Sequence, residues 1–182
     1  MLRRNRFAAP LLALLALMSL PLVVSACGYE SHEKEVVEGE PVELGELSYN
    51  AIFSRYLNPS DNEDSAYLVG QPPAPKGSAY FGVFFEVQNE SEETQTLAKS
   101  MTIEDADHNE FEALPSESLY AMPLGGEVEE QEQVPILDST PEQGPIEGSV
   151  VLFLLPESAN EARPLTLSIP GPDGHGEVTL DL

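Results

Sequence analysis

Apolar and polar residues alternate along much of the chain after residue 44, which predicts β-strands. The clearest strand is residues 79–89, where every second side chain is apolar and is expected to face the core. That core-facing set is Phe81, Val83, Phe85 and Val87. Residues 164–169 and 176–182 alternate in the same way on either side of the turn-forming sequence GPDGHG, and they predict a hairpin.

The remaining segments add further strands. Residues 44–57 predict a first strand, and residues 99–114 predict a strand, a tight turn and a second strand. A weaker strand near residues 132–137 contains Pro135, which confines it to an edge or a bulge. Residues 146–155 are strongly apolar and predict a buried central strand. Together these segments indicate an all-β fold, an antiparallel β-sandwich of seven to eight strands.

A long polar loop interrupts the pattern at residues 58–78 and contains the apolar group Tyr67, Leu68 and Val69. Loops of this length inside a compact domain are often functional. The apolar group indicates that the loop folds back onto the domain. Two interpretations remain open: the three residues form a hydrophobic lid, or together with Tyr120 they form an interaction surface.

The first 26 residues have the organisation of a cleaved bacterial signal peptide. Three arginines within the first six residues precede an apolar run over residues 7–24. A transmembrane helix is the alternative, because the run approaches the ~18 apolar residues that a span needs. Pro10 and Pro21 interrupt the run, and the small residues before Cys27 favour cleavage between Ala26 and Cys27.

The sequence VSAC at residues 24–27 resembles the lipobox of bacterial lipoproteins. This resemblance implies that Cys27 is diacylated on its thiol and anchors the mature protein at the extracytoplasmic face of the cell membrane. Residues 28–43 are polar and acidic and lack periodicity, so we expect a flexible tether over residues 27–43. The folded domain is then expected to span residues 44–182.

The chain is strongly acidic, with 32 Asp and Glu residues against 8 Lys and Arg residues. Its formal charge is −24, and removal of the first 26 residues with their three arginines makes it −27. Such a surface repels nucleic acid, and it could attract divalent cations or a basic partner. Cys27 is the only cysteine, so a chain lipidated there has no disulfide and no thiol nucleophile.

Three segments together resemble a known family. They are YFGVFFEVQNES at residues 80–91, the acidic turn before Phe111, and GPIEGSVVLFLLPESA at residues 144–159. They are similar to an immunoglobulin-like domain family of unknown function that is common in lipoproteins of Gram-positive bacteria. The likeness covers residues 44–170 and implies an immunoglobulin-like fold and an envelope location. It implies no catalytic residues.

One segment has the composition of a cation site. Asp105, Asp107 and Asn109 place oxygen ligands at alternate positions, as calcium loops do. The sixth and twelfth positions of such a loop would be Glu110 and Ser116, where Gly and Glu are required, so an acidic hairpin turn is the favoured interpretation.

The sequence contains no G-x-S-x-G, no P-loop and no dinucleotide-binding glycine motif. We therefore expect no enzymatic activity and no cofactor. The predicted function is that of a lipid-anchored, non-catalytic binding or interaction module with a protein partner in the envelope. The alternative is a lipoprotein that captures cations or solutes with its acidic loops.

Overall fold

The structure, a computed structural model, describes residues 32–180. The predicted signal peptide, its cleavage after Ala26 and the lipidation of Cys27 lie outside the described residues. Twelve strands and two short helices occur in the described part. The strands are β1 (His32–Val37), β2 (Pro41–Leu44), β3 (Leu47–Tyr56), β4 (Ser78–Asn89), β5 (Gln95–Thr96), β6 (Thr102–Glu104), β7 (Glu110–Glu112), β8 (Glu127–Val128), β9 (Gln133–Val134), β10 (Ser149–Pro156), β11 (Leu165–Gly171) and β12 (Gly174–Leu180). The helices are α1 (Asn62–Tyr67) and a 3₁₀ helix (Glu157–Asn160).

Two main sheets form the sandwich. The first has the strand order β1-β12-β11-β6-β7. The second has the order β10-β4-β3-β2, with β9 also paired to β4, and β5 and β8 form a separate ribbon. The strand pairs are antiparallel except that β1 runs parallel to β12. The prediction of an all-β, antiparallel sandwich is therefore confirmed. The count exceeds the predicted seven to eight because several strands are only two or three residues long.

The main core lies between the two sheets and contains the side chains that the alternation pattern assigned to it. The second sheet contributes Phe81, Val83, Phe85 and Val87, all fully buried. The hairpin β11–β12 contributes Leu165, Leu167, Ile169, Val178 and Leu180. Because alternate side chains of a strand point to opposite faces, each strand delivers one apolar row to this core.

The opposite face of the second sheet is also apolar and covered. A second cluster, here called the lid cluster, consists of Leu57, Tyr67, Leu68, Tyr80, Phe84, Val150 and Leu152. Its strand residues come from β4 and β10, and the rest come from the segment that contains α1. This explains why residues 150–155 are apolar at every position.

The expected flexible tether at residues 28–43 is wrong for residues 32–43. Residues 32–37 form β1 beside β12, and residues 41–44 form β2 beside β3. Val42 and Leu44 are buried in the main core and Val36 packs against it. Charged residues separate these few apolar positions, so residues 32–44 show no regular alternation in the sequence. The folded unit therefore begins before the predicted boundary at Leu44.

The expected central position of residues 146–155 is also wrong. β10 lies at the outside of its sheet, where it pairs with β4 only. Its other edge is covered by irregular backbone, since the amide of Leu114 donates to the carbonyl of Leu152 at 2.7 Å and the amide of Met122 donates to the carbonyl of Val150 at 2.9 Å. Neither described helix is long and apolar enough to cross a membrane.

Candidate functional site

An open cleft of about 420 Å³ lies beside the edge strand β9. Its floor is apolar and includes the buried residues Val128, Val134 and Pro135. Pro123 and Pro141 also line it, as do residues of β8, of β9 and of the start of β10. We call this feature the β9 cleft.

Large exposed apolar side chains flank the β9 cleft. Directly after β9, Ile136 is 58% exposed and lines the cleft, and Leu137 is 63% exposed and lines an adjoining cavity of about 210 Å³. In the described residues the other large exposed apolar side chains are Val37, Phe53, Val69 and Leu119. Two neighbouring exposed apolar residues beside an apolar cleft are typical of an interaction surface.

Carboxylates surround the β9 cleft. Glu127, Glu129 and Glu132 line it and are exposed. The sequence has no Lys or Arg between residues 100 and 162, and Lys99, which packs against Gly125, does not line the cleft. A cleft lined by one sign of charge with apolar walls raises the local concentration of opposite charge.

Asn89 fixes the backbone that carries these glutamates. Its buried side-chain amide donates to the carbonyls of Val128 at 3.1 Å and of Glu129 at 2.8 Å, and its Oδ1 accepts from the amide of Ser91 at 3.0 Å. The side-chain amide of Gln131 donates to the carbonyls of Glu90 at 2.7 Å and of Ser91 at 3.0 Å. In the sequence, an Asn at the end of a predicted strand with Ser two residues later is the signal for this turn.

The residues predicted as an interaction surface are mostly buried. Tyr67 and Leu68 belong to the lid cluster, so the lid interpretation is the one that the structure favours for them. The Tyr67 ring meets Phe84 and Tyr120 edge-on, with centroids 5.0 and 5.2 Å away, and its hydroxyl accepts from the Ile146 amide at 3.1 Å. Val69 is 47% exposed. Only Val69 and the half-buried Tyr120 are open to a partner among these four.

An ion pair holds α1 against β3. The guanidinium of Arg55 donates through Nη1 to Oδ2 of Asp64 at 2.8 Å, and its Nη2 contacts Oδ1. The Asp64 side chain is 3% exposed and also accepts from the amide of Asn58 at 2.7 Å. Burial raises the pKa of Asp64, but the hydrogen bonds from Arg55 and Asn58 together outweigh it, and the pKa lies below its ordinary value. The Asp64 carboxylate therefore has a structural role, which is to hold α1 and β3 together.

The acidic hairpin turn between β6 and β7 uses its oxygens internally. One oxygen of Asp105 accepts from the amides of Asp107 at 3.0 Å and Asn109 at 2.9 Å, and the Asn109 side chain donates to both oxygens. These hydrogen bonds, first among them those from Asn109, lower the pKa of Asp105. Hydrogen bonding to Glu104 raises the pKa of the exposed His108 in the same turn. Within residues 32–180, no three His, Cys, Asp or Glu side chains are grouped to hold a metal.

We therefore expect millimolar Ca²⁺ to raise the melting temperature of the protein no more than NaCl of the same ionic strength does. A specific site occupied at one hundred times its dissociation constant would add about 2.7 kcal/mol, which a thermal melt resolves. A Ca²⁺-specific rise that Asp107→Asn abolishes and Asp138→Asn retains would contradict this expectation and restore the hairpin turn as a cation site.

A larger cavity, about 570 Å³, lies between the β2–β3 turn, the segment at residues 94–100 and the end of β11. Its charged lining residues are Glu46 and Lys99, which have opposite signs. The Tyr49 hydroxyl in it accepts from the amide of Ala98 at 2.9 Å and is therefore engaged. The charges that line this cavity therefore cancel, whereas those that line the β9 cleft are all negative.

No protein family model matches the chain, and no curated protein is significantly similar to it. Two solved structures share its fold. An uncharacterized β-sandwich protein from Clostridium difficile 630 aligns with a TM-score of 0.52 and 14% identity over 82% of this chain and 95% of that one. The yjhA protein from Bacillus subtilis aligns with a TM-score of 0.53 and 13% identity over 80% of this chain and 99% of that one. At this identity the likeness shows a β-sandwich, shared with proteins of Gram-positive bacteria.

Proposed function

We propose that the protein is a lipid-anchored, non-catalytic binding module of the cell envelope and that the β9 cleft is its binding surface. The observation that carries this proposal is the cleft itself, which has the buried residues Val128, Val134 and Pro135 at its floor and the exposed Ile136 at its side. Exposing an apolar side chain such as Ile136 is unfavourable in water, and a partner that covers it removes this penalty.

In the described residues, the groups with displaced pKa values lie outside the β9 cleft. Catalytic sites bring together groups whose pKa values are displaced toward a chemical task. Among the described carboxyl groups, Asp64 and Asp105 have lowered pKa values, and both bond to the protein's own side chains and backbone. Burial raises the pKa of Tyr49, Tyr56 and Tyr67. None of these groups lines the β9 cleft.

The position of β1 limits how far the sandwich could lie from the proposed anchor. His32, the first residue of β1, lies five positions after Cys27. Even a fully extended link of this length spans only about 18 Å. A chain lipidated at Cys27 would therefore hold the sandwich close to the membrane, where partners are other envelope components.

A crosslinking experiment in intact cells tests the binding surface. Because Cys27 is the only cysteine, a chain lipidated there gains a single free thiol in Leu137→Cys. With a membrane-impermeant reagent that joins a maleimide to a photoreactive group, we expect a discrete adduct for this variant. Val69→Cys is the matched control, because Val69 is 47% exposed, does not line the β9 cleft and follows Leu68 of the lid cluster. Equal adducts from both variants, or none from Leu137→Cys, would refute the proposed surface.

The anchor has its own test. In Cys27→Ser, we expect the apolar N-terminus to remain uncleaved and the chain to incorporate no labelled palmitate, because the thiol that would be acylated is absent. Wild-type processing should stop when lipoprotein signal peptidase is inhibited. No palmitate incorporation by the wild type, or equal incorporation by Cys27→Ser, would refute lipidation at Cys27 without bearing on the β9 cleft.

A further inference from the structure

We propose that the β9 cleft binds a basic polypeptide segment that places an apolar side chain on the cleft floor and Lys or Arg side chains against the rim. This inference rests on the proposed binding function and specifies the chemistry of the partner. Two independent observations carry it: the apolar cleft with its exposed neighbours, and the sign of the charge around it.

The apolar part of the recognition follows from the floor and its border. Val128 and Val134 are buried below the opening, and Ile136 stands exposed at its side. A cleft of about 420 Å³ lies within the range of sites that hold a small group. An apolar side chain entering it would also cover Ile136, so the partner segment needs an apolar residue at its centre.

The charged part follows from the segment that forms the cleft. Residues 127–147 contain seven acidic residues and no Lys or Arg. Three of the seven line the cleft, namely Glu127, Glu129 and Glu132. Thr94 donates to the carboxylate of Glu129 at 3.1 Å, and Asn89 fixes the backbone beneath it. The rim is thus partly ordered before any partner arrives, which lowers the entropic cost of binding.

Other occupants fit these observations less well. Nucleic acids and anionic lipid headgroups are repelled by the glutamates. A second copy of this chain would bring a net charge of the same sign against the rim. A metal ion needs several convergent ligands, and within the described chain no such group of carboxylates exists. A basic segment with an apolar residue satisfies both the floor and the rim.

Synthetic peptides test the inference directly. The full-length chain is purified from membranes in a neutral detergent, and binding of fluorescein-labelled KKLFKK is followed by anisotropy, with empty micelles as the blank. We expect saturable binding that weakens steeply between about 50 and about 500 mM NaCl, because screening shortens the range of the rim charges. EELFEE and KKSSKK are expected to bind at least about tenfold more weakly. EELFEE lacks the basic residues for the rim, and KKSSKK lacks the apolar residues for the floor.

Matched variants locate the site. The triple variant Glu127→Gln, Glu129→Gln, Glu132→Gln should weaken KKLFKK binding about tenfold, because three modest exposed ion contacts are lost. The control triple Glu110→Gln, Glu157→Gln, Glu161→Gln changes the net charge equally at other exposed sites and should stay within about twofold. Ile136→Ser should weaken KKLFKK but not the residual binding of KKSSKK.

Two results would overturn the inference. Equal losses in both triple variants would show that net charge, and not the cleft, governs binding. Equal binding of KKLFKK and KKSSKK would show that the apolar floor takes no part. If KKLFKK fails to bind while Leu137→Cys still crosslinks a partner, the binding function stands and the basic chemistry assigned to that partner is wrong.

Discussion

Replacing Tyr67 with alanine should lower the free energy of unfolding by about 3–5 kcal/mol, the range for truncating a buried aromatic ring. Tyr67 is fully buried, and its ring touches both Phe84 and Tyr120. Removing it would leave a cavity at the centre of the lid cluster, between α1 and the outer face of the second sheet. Urea denaturation followed by circular dichroism measures the change.

Tyr67→Phe separates the hydroxyl from the ring. This variant keeps the packing and loses only the acceptor for the Ile146 amide, so a loss of about 1 kcal/mol is expected. A loss below about 1 kcal/mol for Tyr67→Ala would mean that the lid is loosely packed. Tyr67 and Leu68 would then be available to a partner, as the interaction-surface interpretation required.

Arg55→Met is the substitution with the second largest expected effect, a loss of about 2–3 kcal/mol near neutral pH. It keeps an apolar stem on β3 but leaves the carboxylate of Asp64 buried without its cation. The figure is below that for a fully buried pair because the Arg55 side chain is 30% exposed. The double variant Arg55→Met, Asp64→Asn removes both charges, and it should be more stable than Arg55→Met alone.

The pH dependence of these variants has a definite sign. The folded-state pKa of Asp64 lies below its ordinary value of 3.8, so the pair stabilises the folded protein above that pH. This contribution is lost as the pH falls through 3.8 toward the folded-state pKa. The stability difference between wild type and Arg55→Met should therefore narrow on acidification, as thermal melts from neutral to acidic pH can show. A difference that is constant across this range would place the effect in packing instead of charge.

Local alternation predicted the strands whose side chains meet in the main core. Phe81 to Val87 and the hairpin β11–β12 were identifiable because each strand is long enough to repeat its period several times. β1 was not identifiable, because only Val36 and Val37 interrupt its charged residues and its partner β12 lies at the other end of the chain. A pattern read over a few neighbouring residues contains no information about a partner strand so far away in the sequence.

The candidate site was predicted only in part. Pro135 predicts an edge position or a bulge for the strand near residues 132–137, and β9 lies at an edge, paired with β4. The β9 cleft has no such local signal, because its lining comes from β8, β9 and the start of β10. Only the long-range hydrogen bonds of Asn89 and the pairing with β4 bring these segments together. The apolar sequence at Tyr67 and Leu68 is compatible with either a buried lid or an exposed binding patch. Composition alone does not distinguish these two arrangements.

The parallel pairing of β1 with β12 has a mechanical consequence. β1 begins beside Gly174 and runs alongside β12 as far as Thr179, six residue pairs in register. In the proposed anchored form, a pull on Cys27 directed along β1 would stretch this ladder lengthwise. All six pairs would then bear the load together in shear, since their hydrogen bonds lie across the direction of the force, whereas peeling would break them one at a time. In that form, β1 would both connect the sandwich to its anchor and resist mechanical unfolding when the anchor is pulled.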